Sequence, residues 1–443
     1  MNVDGLKESL QDCAAHAIEL AQSLGATQSE VGVNTDEGLS VTVRMGELES
    51  VERHKNRGLG ITVYKDGRKG SASTTDLSRH SVEAVVRKAL SIAAHTVRDE
   101  FAGLAPAEAM AQSTPDLDLY HPWEIDVARA ESVAREAEDA ARGADSRIQN
   151  SEGATLSTDA AYRVYANSHG FVGGYASSSH AISCSVVAQD DAGLERDYWV
   201  TSARSSDELD RPETVGERAA RRAVARLGSR QLTTRTVPVL YPAEIGRGLF
   251  GHLVAAISGT SQYRRSSFLL DAAGTQIFPE FVNIEERPHI PRAFGSAAFD
   301  SDGVATQPRT LIDHGTLTGY VLSAYSARRL GLTTTANAGG IHNLLVAPTA
   351  GTQAEIVSGL DRVFVVGELL GQGVNTVTGD YSRGAAGFWV ERGETIHPVS
   401  EVTIAGNLRD VFSNISAIGS DVDVRGTIRS GCVLIEGMTV AGQ

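Results

Sequence analysis

The chain has 443 residues, of which 41% are hydrophobic and 21% are charged, and its net charge is −15. This length predicts two or three domains, and no apolar run is long enough for a membrane-spanning helix. The acidic balance disfavours nucleic acid as a partner, because such binding requires Lys and Arg to neutralise phosphates. The first residues lack the basic and apolar regions of a signal peptide, so we expect a cytoplasmic protein with neither a membrane nor a nucleic acid as partner.

The first half of the chain alternates between helix and strand patterns. Apolar residues from Leu6 to Leu24 recur at three- and four-residue steps, which predicts an amphipathic helix that Gly25 ends. From Ser29 to Thr74 the period changes to two, and Asp66-Gly67 is a typical hairpin turn, so an antiparallel meander is expected.

Further helices are predicted at residues 76–97, 124–143 and 212–228, with short strands between residues 146 and 202. Strands followed by an Ala- and Val-rich helix occur twice, around residues 59–97 and 181–228, which indicates an internal repeat.

A boundary between domains is predicted near residues 229–236, where a polar segment leads into a new strand. We therefore expect an N-terminal domain over residues 1–232 and a C-terminal domain over residues 233–443. The N-terminal domain combines an antiparallel sheet with flanking helices. Beyond a helix at 242–258, the C-terminal domain is rich in Gly, Thr, Val and Asn, which is typical of a large β-domain with long loops. The fold class is α+β.

The helix "YPAEIGRGLFGHLVAAISG" at 241–259 carries Glu244 and His252, and its pattern suggests a zinc helix. A zinc peptidase helix needs two histidines one turn apart with a carboxylate beside them. No histidine of this chain has another within five positions. Glu244 and His252 are two turns apart, about 12 Å along the axis. They cannot share an ion, and His252 is interpreted as a polar contact at a helix end or an interface.

Other metal patterns are equally weak. His180 and Cys184 lie on one face of a predicted strand, but their Cα atoms are expected about 13 Å apart. The segment "FDSDG" at 299–303 begins like a calcium loop without its later ligands, so a β-turn is predicted instead. Cys13, Cys184 and Cys432 are far apart and odd in number, which indicates neither a disulfide framework nor a Cys-x-x-Cys metal site.

The segment "GVNTVTGDYSRGAAGFWVERG" at 373–393 is the strongest candidate for a site outside that helix. Asn375, Asp380, Ser382 and Arg383 cluster there among glycines that permit close approach of another chain. The structural alternative is an ion pair between Asp380 and Arg383 that holds the loop. Patterns for a serine nucleophile elbow, a Walker loop or a dinucleotide site are not found in the sequence.

Several long motifs carry a resemblance to a known family. They are "RGLGITVYKDGRKGSASTTDLS", "SGTSQYRRSSFLLDAAGTQIFP", "FDSDGVATQPRTLIDHGTLTGYVLSAYSARRLG", "GVNTVTGDYSRGAAGFWVERGETIHPVSEVTIAGNL" and "IRSGCVLIEGMTVAG". In this order they resemble the TldD/PmbA family, nearest to its PmbA (TldE) branch. The resemblance implies an α/β N-terminal domain with an antiparallel sheet and a C-terminal β-barrel-like domain.

The family resemblance also implies a heterodimeric zinc metallopeptidase of flexible or unfolded peptides, in which the TldD-like subunit carries His-Glu-x-x-x-His on its helix. Here the shared "IGxGLxG" pattern starts at Ile245. That register puts Pro242 at the first histidine, Ala243 at the glutamate and Arg247 at the second histidine. Cys432 does not align with the family's metal-binding cysteine. We therefore expect no metal and no catalytic residue in this chain, and zinc in the partner.

The resemblance thus predicts a subunit that shapes the substrate channel for a TldD-like partner and is inactive alone. Extended peptides are commonly held by strand addition to a sheet edge, and that mode is expected here. Two alternatives stay open, namely a homodimeric regulatory or binding protein of the gyrase-modulator type, and a metal-independent hydrolase that uses Asp380, Ser382 or Arg383. The candidates for contact with substrate or partner are Asn375, Asp380, Ser382, Arg383, Arg247 and His252.

Overall fold

The computed structural model describes residues 3–191 and 193–442. Their helices are α1 (Val3–Ser23), α2 (Arg79–His95), α3 (Val127–Ala144), α4 (Pro212–Ala225), α5 (Ala243–Ala256), α6 (Gly259–Tyr263), α7 (Ala324–Leu330), α8 (Gln353–Ser358) and α9 (Leu408–Ser413). Their strands are β1 (Gln28–Arg44), β2 (Glu47–Lys65), β3 (Arg68–Thr74), β4 (Ile148–Asn167), β5 (Val172–Asp190), β6 (Gly193–Ala203), β7 (Arg235–Tyr241), β8 (Ile284–Glu286), β9 (Arg309–Asp313), β10 (Thr316–Leu317), β11 (Leu344–Val346), β12 (Arg362–Leu370), β13 (Asp380–Glu391), β14 (Glu394–Asn407), β15 (Ile415–Ile418), β16 (Ile428–Arg429) and β17 (Val433–Ala441).

The N-terminal sheet consists of two halves with the same order of elements. Its strand order is β3-β2-β1-β4-β5-β6, and all neighbours are antiparallel. The first half runs α1-β1-β2-β3-α2 and the second runs α3-β4-β5-β6-α4, so β1 and β4 join them. Each helix pair covers its own half with an apolar core. The expected antiparallel sheet with flanking helices is confirmed, and the internal repeat is present over a longer span than the sequence indicated.

Two tight turns connect the strands of the first half. Asp66 and Gly67 have φ angles of 53° and 73°, so the predicted hairpin turn is confirmed. Met45 and Gly46 form a similar turn with φ angles of 53° and 77°, which the sequence analysis did not single out. Their amides donate to Glu138 of α3, at 2.8 and 2.7 Å. A buried carboxylate of the second half therefore holds a turn of the first.

The C-terminal region contains a closed barrel. Strands β14-β13-β12-β7-β17 are neighbours in that order, and β14 also pairs with β17, which completes a ring. A second sheet of order β10-β9-β8-β11-β16 lies in the same region, and apolar side chains from both sheets form one core. The β-barrel-like prediction is confirmed.

Helix α5 follows β7 directly and buries Leu249, Phe250 and Leu253 in that core. Its first residues therefore lie at one end of the barrel, beside β12, which pairs with β7 in parallel. No helix among the described residues has the length and apolarity needed to cross a lipid bilayer.

Candidate functional site

Helix α5 begins at a cleft between the N-terminal sheet and the barrel. Pro242 is its N-cap and makes no side-chain hydrogen bond to the helix end, because the proline ring has no polar side-chain atom. Pro242, Ala243 and Glu244 line this cleft, opposite residues of β6 and α4. The cleft has a volume of about 860 Å³. We call it the arginine cleft, after Arg218, Arg221, Arg222 and Arg425 in its lining.

Arg247 lies one turn further along α5 and pairs with Asp423. Its Nη1 is 3.7 Å from Asp423 Oδ2. Asp423 is buried and also accepts from Nε and Nη2 of Arg425, each at 2.9 Å. Burial opposes ionisation of this carboxyl, but the hydrogen bonds and charges of Arg425, with Arg247, outweigh it and lower the pKa of Asp423.

The residues at the three positions of the family's zinc motif do not fit a zinc ion. Pro242 and Ala243 have no side-chain lone pair, and the guanidinium of Arg247 donates hydrogen bonds but cannot coordinate. Arg247 is moreover engaged with Asp423. Within residues 3–191 and 193–442, no group of three or more His, Cys, Asp and Glu side chains is arranged to hold a metal ion. Cys432 lies in an apolar cluster, and burial raises the pKa of its thiol to about 12.

Ion pairs connect the two sides of the arginine cleft. Arg222 of α4 donates to Asp197 of β6 at 3.0 Å and to Glu244 of α5 at 2.9 Å. Arg226, one turn further along α4, donates to Glu368 of β12 at 2.7 Å. Buried pairs of this kind are destabilising to break, because the remaining charge has no partner. Helix α4 is therefore fixed to the start of α5 and to the barrel.

Trp199 of β6 is the centre of an arginine cluster. The guanidinium carbons of Arg218, Arg425 and Arg222 lie 3.5, 4.3 and 5.4 Å from its ring centroid, within the range of cation–π contacts. Trp199 is only 6% exposed, and its indole N–H has no acceptor among the described residues. Arg425 also donates to the carbonyl of Val200 at 2.5 Å, so one backbone acceptor on the edge strand β6 is already occupied.

In the 373–393 segment, the candidate site residues Asn375 and Asp380 stabilise a turn. Asn375 accepts from the amides of Val377 and Thr378 at 2.9 and 3.3 Å. Asp380 accepts from the Thr378 hydroxyl at 2.6 Å and from Asn407 at 3.3 Å. Both side chains therefore stabilise the approach to β13.

The expected ion pair between Asp380 and Arg383 is wrong, since among the described residues no such pair forms. Asp380 and Ser382 lie on the exposed face of β13, whereas Tyr381 and Arg383 point the other way. Residues separated by an odd number of positions on a strand face opposite sides, which explains the difference. Ser382 is exposed and has no catalytic base positioned beside it in the hydrogen bonds of the described residues.

Arg383 and His252 lie near each other at the buried face of β13. The ring of His252 meets that of Tyr381 edge-on at 6.1 Å between centroids, and burial, with the charge of Arg383, lowers the pKa of His252. Arg383 donates to the carbonyl of Leu369 at 3.5 Å, while its Nε is buried without a hydrogen-bond partner among the described residues. None of the six candidates lines the arginine cleft, and Arg247 alone of them adjoins it among the described residues, through its pair with the lining residue Asp423.

The two weaker metal patterns have structural roles. His180 and Cys184 do face the same side of β5, but both nitrogens of His180 are engaged, with Thr158 at 2.8 Å and the carbonyl of His121 at 2.9 Å. The predicted turn at 299–303 is confirmed, because Asp300 accepts from the amides of Asp302 and Val304, each at 2.9 Å.

That turn borders a second cleft, of about 640 Å³, between strands β1, β2, β4 and β5 of the sheet and the C-terminal region. We call it the acid cleft, after Glu30, Asp300 and Asp302 in its lining. Glu30 accepts from the hydroxyls of Tyr64 and Tyr165 at 2.8 and 2.9 Å. Burial raises the pKa of Glu30, although the two phenols oppose the shift. Burial, with the charge of Asp302, raises the pKa of Asp300 to about 7.

Sequence reasoning did not find the residues that build the arginine cleft. Trp199, Asp197 and Asp423 have no motif, and they meet only because β6, α4 and the segment at 421–425 converge. One signal was available on α4. Arg218, Arg221 and Arg222 are spaced i, i+3 and i+4, which puts them on one face of the helix.

Comparisons with known proteins agree along the chain. The C-terminal, central and first domains of the PmbA/TldA metallopeptidase family match residues 234–442, 120–227 and 29–93. Metalloprotease PmbA of Escherichia coli O157:H7 is 46% identical over 441 residues, which cover 100% of this chain and 98% of that protein.

Two solved structures share the fold. A protein from Bacteroides thetaiotaomicron, provisionally named a modulator of DNA gyrase, has a TM-score of 0.92 at 24% identity and covers 98% of each chain. TldE from Thermococcus kodakarensis has a TM-score of 0.86 at 20% identity and covers 97% of this chain and 100% of its own. At such identities the likeness concerns the fold alone. With three family domains matched in order and a relative that aligns from end to end, the chain belongs to the PmbA/TldD metallopeptidase family.

Proposed function

We propose that this chain is the zinc-free, TldE-like subunit of a two-subunit metallopeptidase that acts on flexible peptides, while a TldD-like partner supplies the zinc and the chemistry. The observation that carries the proposal is the start of α5. Two positions of the family's zinc motif, Pro242 and Ala243, line the arginine cleft without a metal ligand, and the third, Arg247, is paired with Asp423. We expect both subunits in the cytoplasm.

The role of this chain would be to hold the peptide. Cleavage requires that a scissile bond stay aligned with the attacking water, and the binding surface that aligns it can lie outside the catalytic subunit. The arginine cleft is supported by ion pairs from α4, β6, α5 and β12, so its walls are rigid. We expect the peptide to lie along this cleft rather than to extend the sheet at β6, because Arg425 already occupies the carbonyl of Val200.

The test compares the isolated chain, the isolated partner and their complex. Zinc is measured by elemental analysis, and cleavage is followed on a flexible, internally quenched peptide. We expect no stoichiometric zinc and no turnover in the isolated chain, and turnover in the complex. A complex whose partner has its motif glutamate replaced by Gln is the matched control and should be inactive.

Stoichiometric zinc and peptide cleavage by the isolated chain would overturn the proposal. Metal-free cleavage that is lost in Ser382→Ala would instead support the metal-independent hydrolase. Formation of a stable homodimer that does not bind the TldD-like partner would favour the regulatory alternative.

A further inference from the structure

Arg218 is an unpaired cation in a cleft where most charges are paired. It lies on α4, with its guanidinium carbon 3.5 Å from the ring centroid of Trp199. Among the described residues, no hydrogen bond or ion pair of Arg218 to an acceptor is formed. A guanidinium that stacks through its face keeps its N–H edge free to donate.

The carboxylates of the arginine cleft are largely committed to other arginines. Asp197 and Glu244 pair with Arg222, and Asp423 pairs with Arg425. Glu208 pairs with Arg292 at 2.9 Å, outside the cleft lining. Asp210 and Glu244 exert an attractive charge on Arg218 without reaching it by a hydrogen bond. Two arginines of the lining, Arg218 and Arg221, and two of its carboxylates, Asp210 and Asp421, thus have no ion pair among the described residues, and no carboxylate reaches the N–H edge of Arg218.

The neighbouring arginines favour an anion at the free N–H edge of Arg218. Burial, together with the charges of Arg425 and Arg222, lowers the pKa of Arg218, although an arginine stays protonated at neutral pH. An incoming anion would relieve this repulsion. Arg221 is one turn away on the same helix, lines the same cleft and has no ion pair among the described residues. A planar, two-oxygen anion is the best match to the free edge of a guanidinium.

We propose that Arg218, stacked on Trp199 and assisted by Arg221, binds a carboxylate of a peptide that occupies the arginine cleft. This inference rests on the proposed function, because the peptide is the ligand that function requires. The carboxylate belongs either to the C-terminus of the peptide or to an acidic side chain. Both present the same two oxygens, and the peptides used in the test separate them.

The test measures fluorescence anisotropy of three labelled peptides with the full chain. All have the flexible sequence Gly-Ala-Val-Ala-Gly with fluorescein at the N-terminus: one ends in a free acid, one ends in an amide, and one ends in an amide with its last Gly replaced by Glu. We expect the free acid to bind about tenfold more tightly than the amide, the range for a hydrogen bond to a charged group. If the Glu peptide binds as tightly as the free acid, a side-chain carboxylate is an accepted source.

Substitutions assign the effect to one residue. Arg218→Gln should remove the preference for a carboxylate by weakening the binding of the free acid to the level of the amide, whereas Arg218→Lys should keep part of the preference as a point charge. Arg87→Gln, an exposed arginine on α2 in the other half of the sheet, is the matched control and should retain the full preference.

Equal binding of acid and amide peptides by the wild-type chain would overturn the carboxylate site and leave the peptide-holding function standing. A preference that survives in Arg218→Gln would also overturn it. If the chain binds none of the three peptides, alone or in complex with an inactive partner, both the site and the proposed peptide-holding function fail.

Discussion

The N-terminal sheet faces the C-terminal region at two clefts of opposite character. In the arginine cleft, charges are balanced by one another: Arg222 bridges Asp197 and Glu244, and Arg425 bridges Asp423. In the acid cleft, charge is suppressed instead, since Glu30 is held by two phenols and the pKa of Asp300 is raised to about 7. The two clefts thus accommodate buried polar groups by different means. The first solution resists changes of pH near neutrality, and the second responds to them.

The largest effect is expected from Asp197→Ala in the arginine cleft. Asp197 is 6% exposed and serves both Arg222 and Arg226. Its loss leaves two half-buried guanidinium groups short of a partner, which costs roughly 3–5 kcal/mol of unfolding free energy. Urea unfolding measures the change. Asp145→Ala, which breaks an exposed pair with Arg147 in the same half, is the control and should have a much smaller effect. Equal losses in the two variants would refute the distinction.

A pH scan of Asp300→Asn should separate the two clefts. The pKa of Asp300 is about 7 in the folded protein and 3.8 ordinarily, so the folded state binds a proton that the unfolded chain lacks between these values. Stability therefore falls as the pH rises from about 4 to 7, by roughly 3 kcal/mol, because the full slope of ~1.4 kcal/mol per pH unit is reached only in the middle of this range. The stability of the Asn variant should not have this pH dependence. It should be lower by a constant amount, because the amide of Ala338 donates to an Asp300 carboxylate oxygen in the wild-type chain.

Asp423→Asn is the counterpart in the arginine cleft. The pKa of Asp423 is lowered on folding, so its stabilisation is present above its ordinary value of 3.8 and is lost only at more acidic pH. Between pH 5 and 8 this variant should be less stable than the wild type by a constant amount. Thermal unfolding between pH 5 and 8 measures how the stability of the wild type and of both variants depends on pH. A wild-type stability that does not change over this range would contradict the protonation of Asp300.

The smallest effects should come from one conservative aromatic substitution in each cleft. Tyr165→Phe deletes a hydroxyl that donates to Glu30 at 2.9 Å, and should cost about 1–2 kcal/mol at pH 8. Trp199→Phe deletes an indole N–H without an acceptor among the described residues and weakens the stacking of three arginines, for about 0.5–1 kcal/mol. Chemical denaturation at pH 8 measures the unfolding free energy lost in each variant. A larger loss in Trp199→Phe than in Tyr165→Phe would show that the arginine stacking contributes more than the hydrogen bond of the phenol.

Much of the fold follows from local signals. Asp76 and Ser78 both precede the apolar stripe of α2 as possible caps, and Ser78 is the cap in the structure, while Asp66-Gly67 forms its predicted turn. The Met45-Gly46 turn was missed because its stabilising partner, Glu138, is 92 residues from Gly46 in the chain. Closure of the barrel depends likewise on β14 and β17, whose pairing leaves no periodic trace in the sequence.

The site was predictable only where a family motif covered it. Pro242, Ala243 and Arg247 were found by register against "IGxGLxG", and spacing alone had already argued against a metal on that helix. Trp199 and Arg425 were missed, because a stack between residues far apart in sequence has no local signature. The error at Asp380 and Arg383 had another cause: residues three apart in a strand face opposite sides, and the Gly-rich sequence did not reveal that both residues belong to β13.

The closed barrel also determines which region of the chain can fold first during synthesis. Strand β7 at its centre is made early in the C-terminal region, but both of the neighbours it pairs with come later, and the ring is completed only when β17 (Val433–Ala441) has been translated. The N-terminal sheet, by contrast, has all its strands by Ala203 and its last helix by Ala225. Because domains generally fold as units while the chain emerges, the sheet can fold on the ribosome while β7 still has an unpaired edge. The C-terminal region is therefore open to chaperones and to misassembly from the translation of β7 until β17 is available to close the ring.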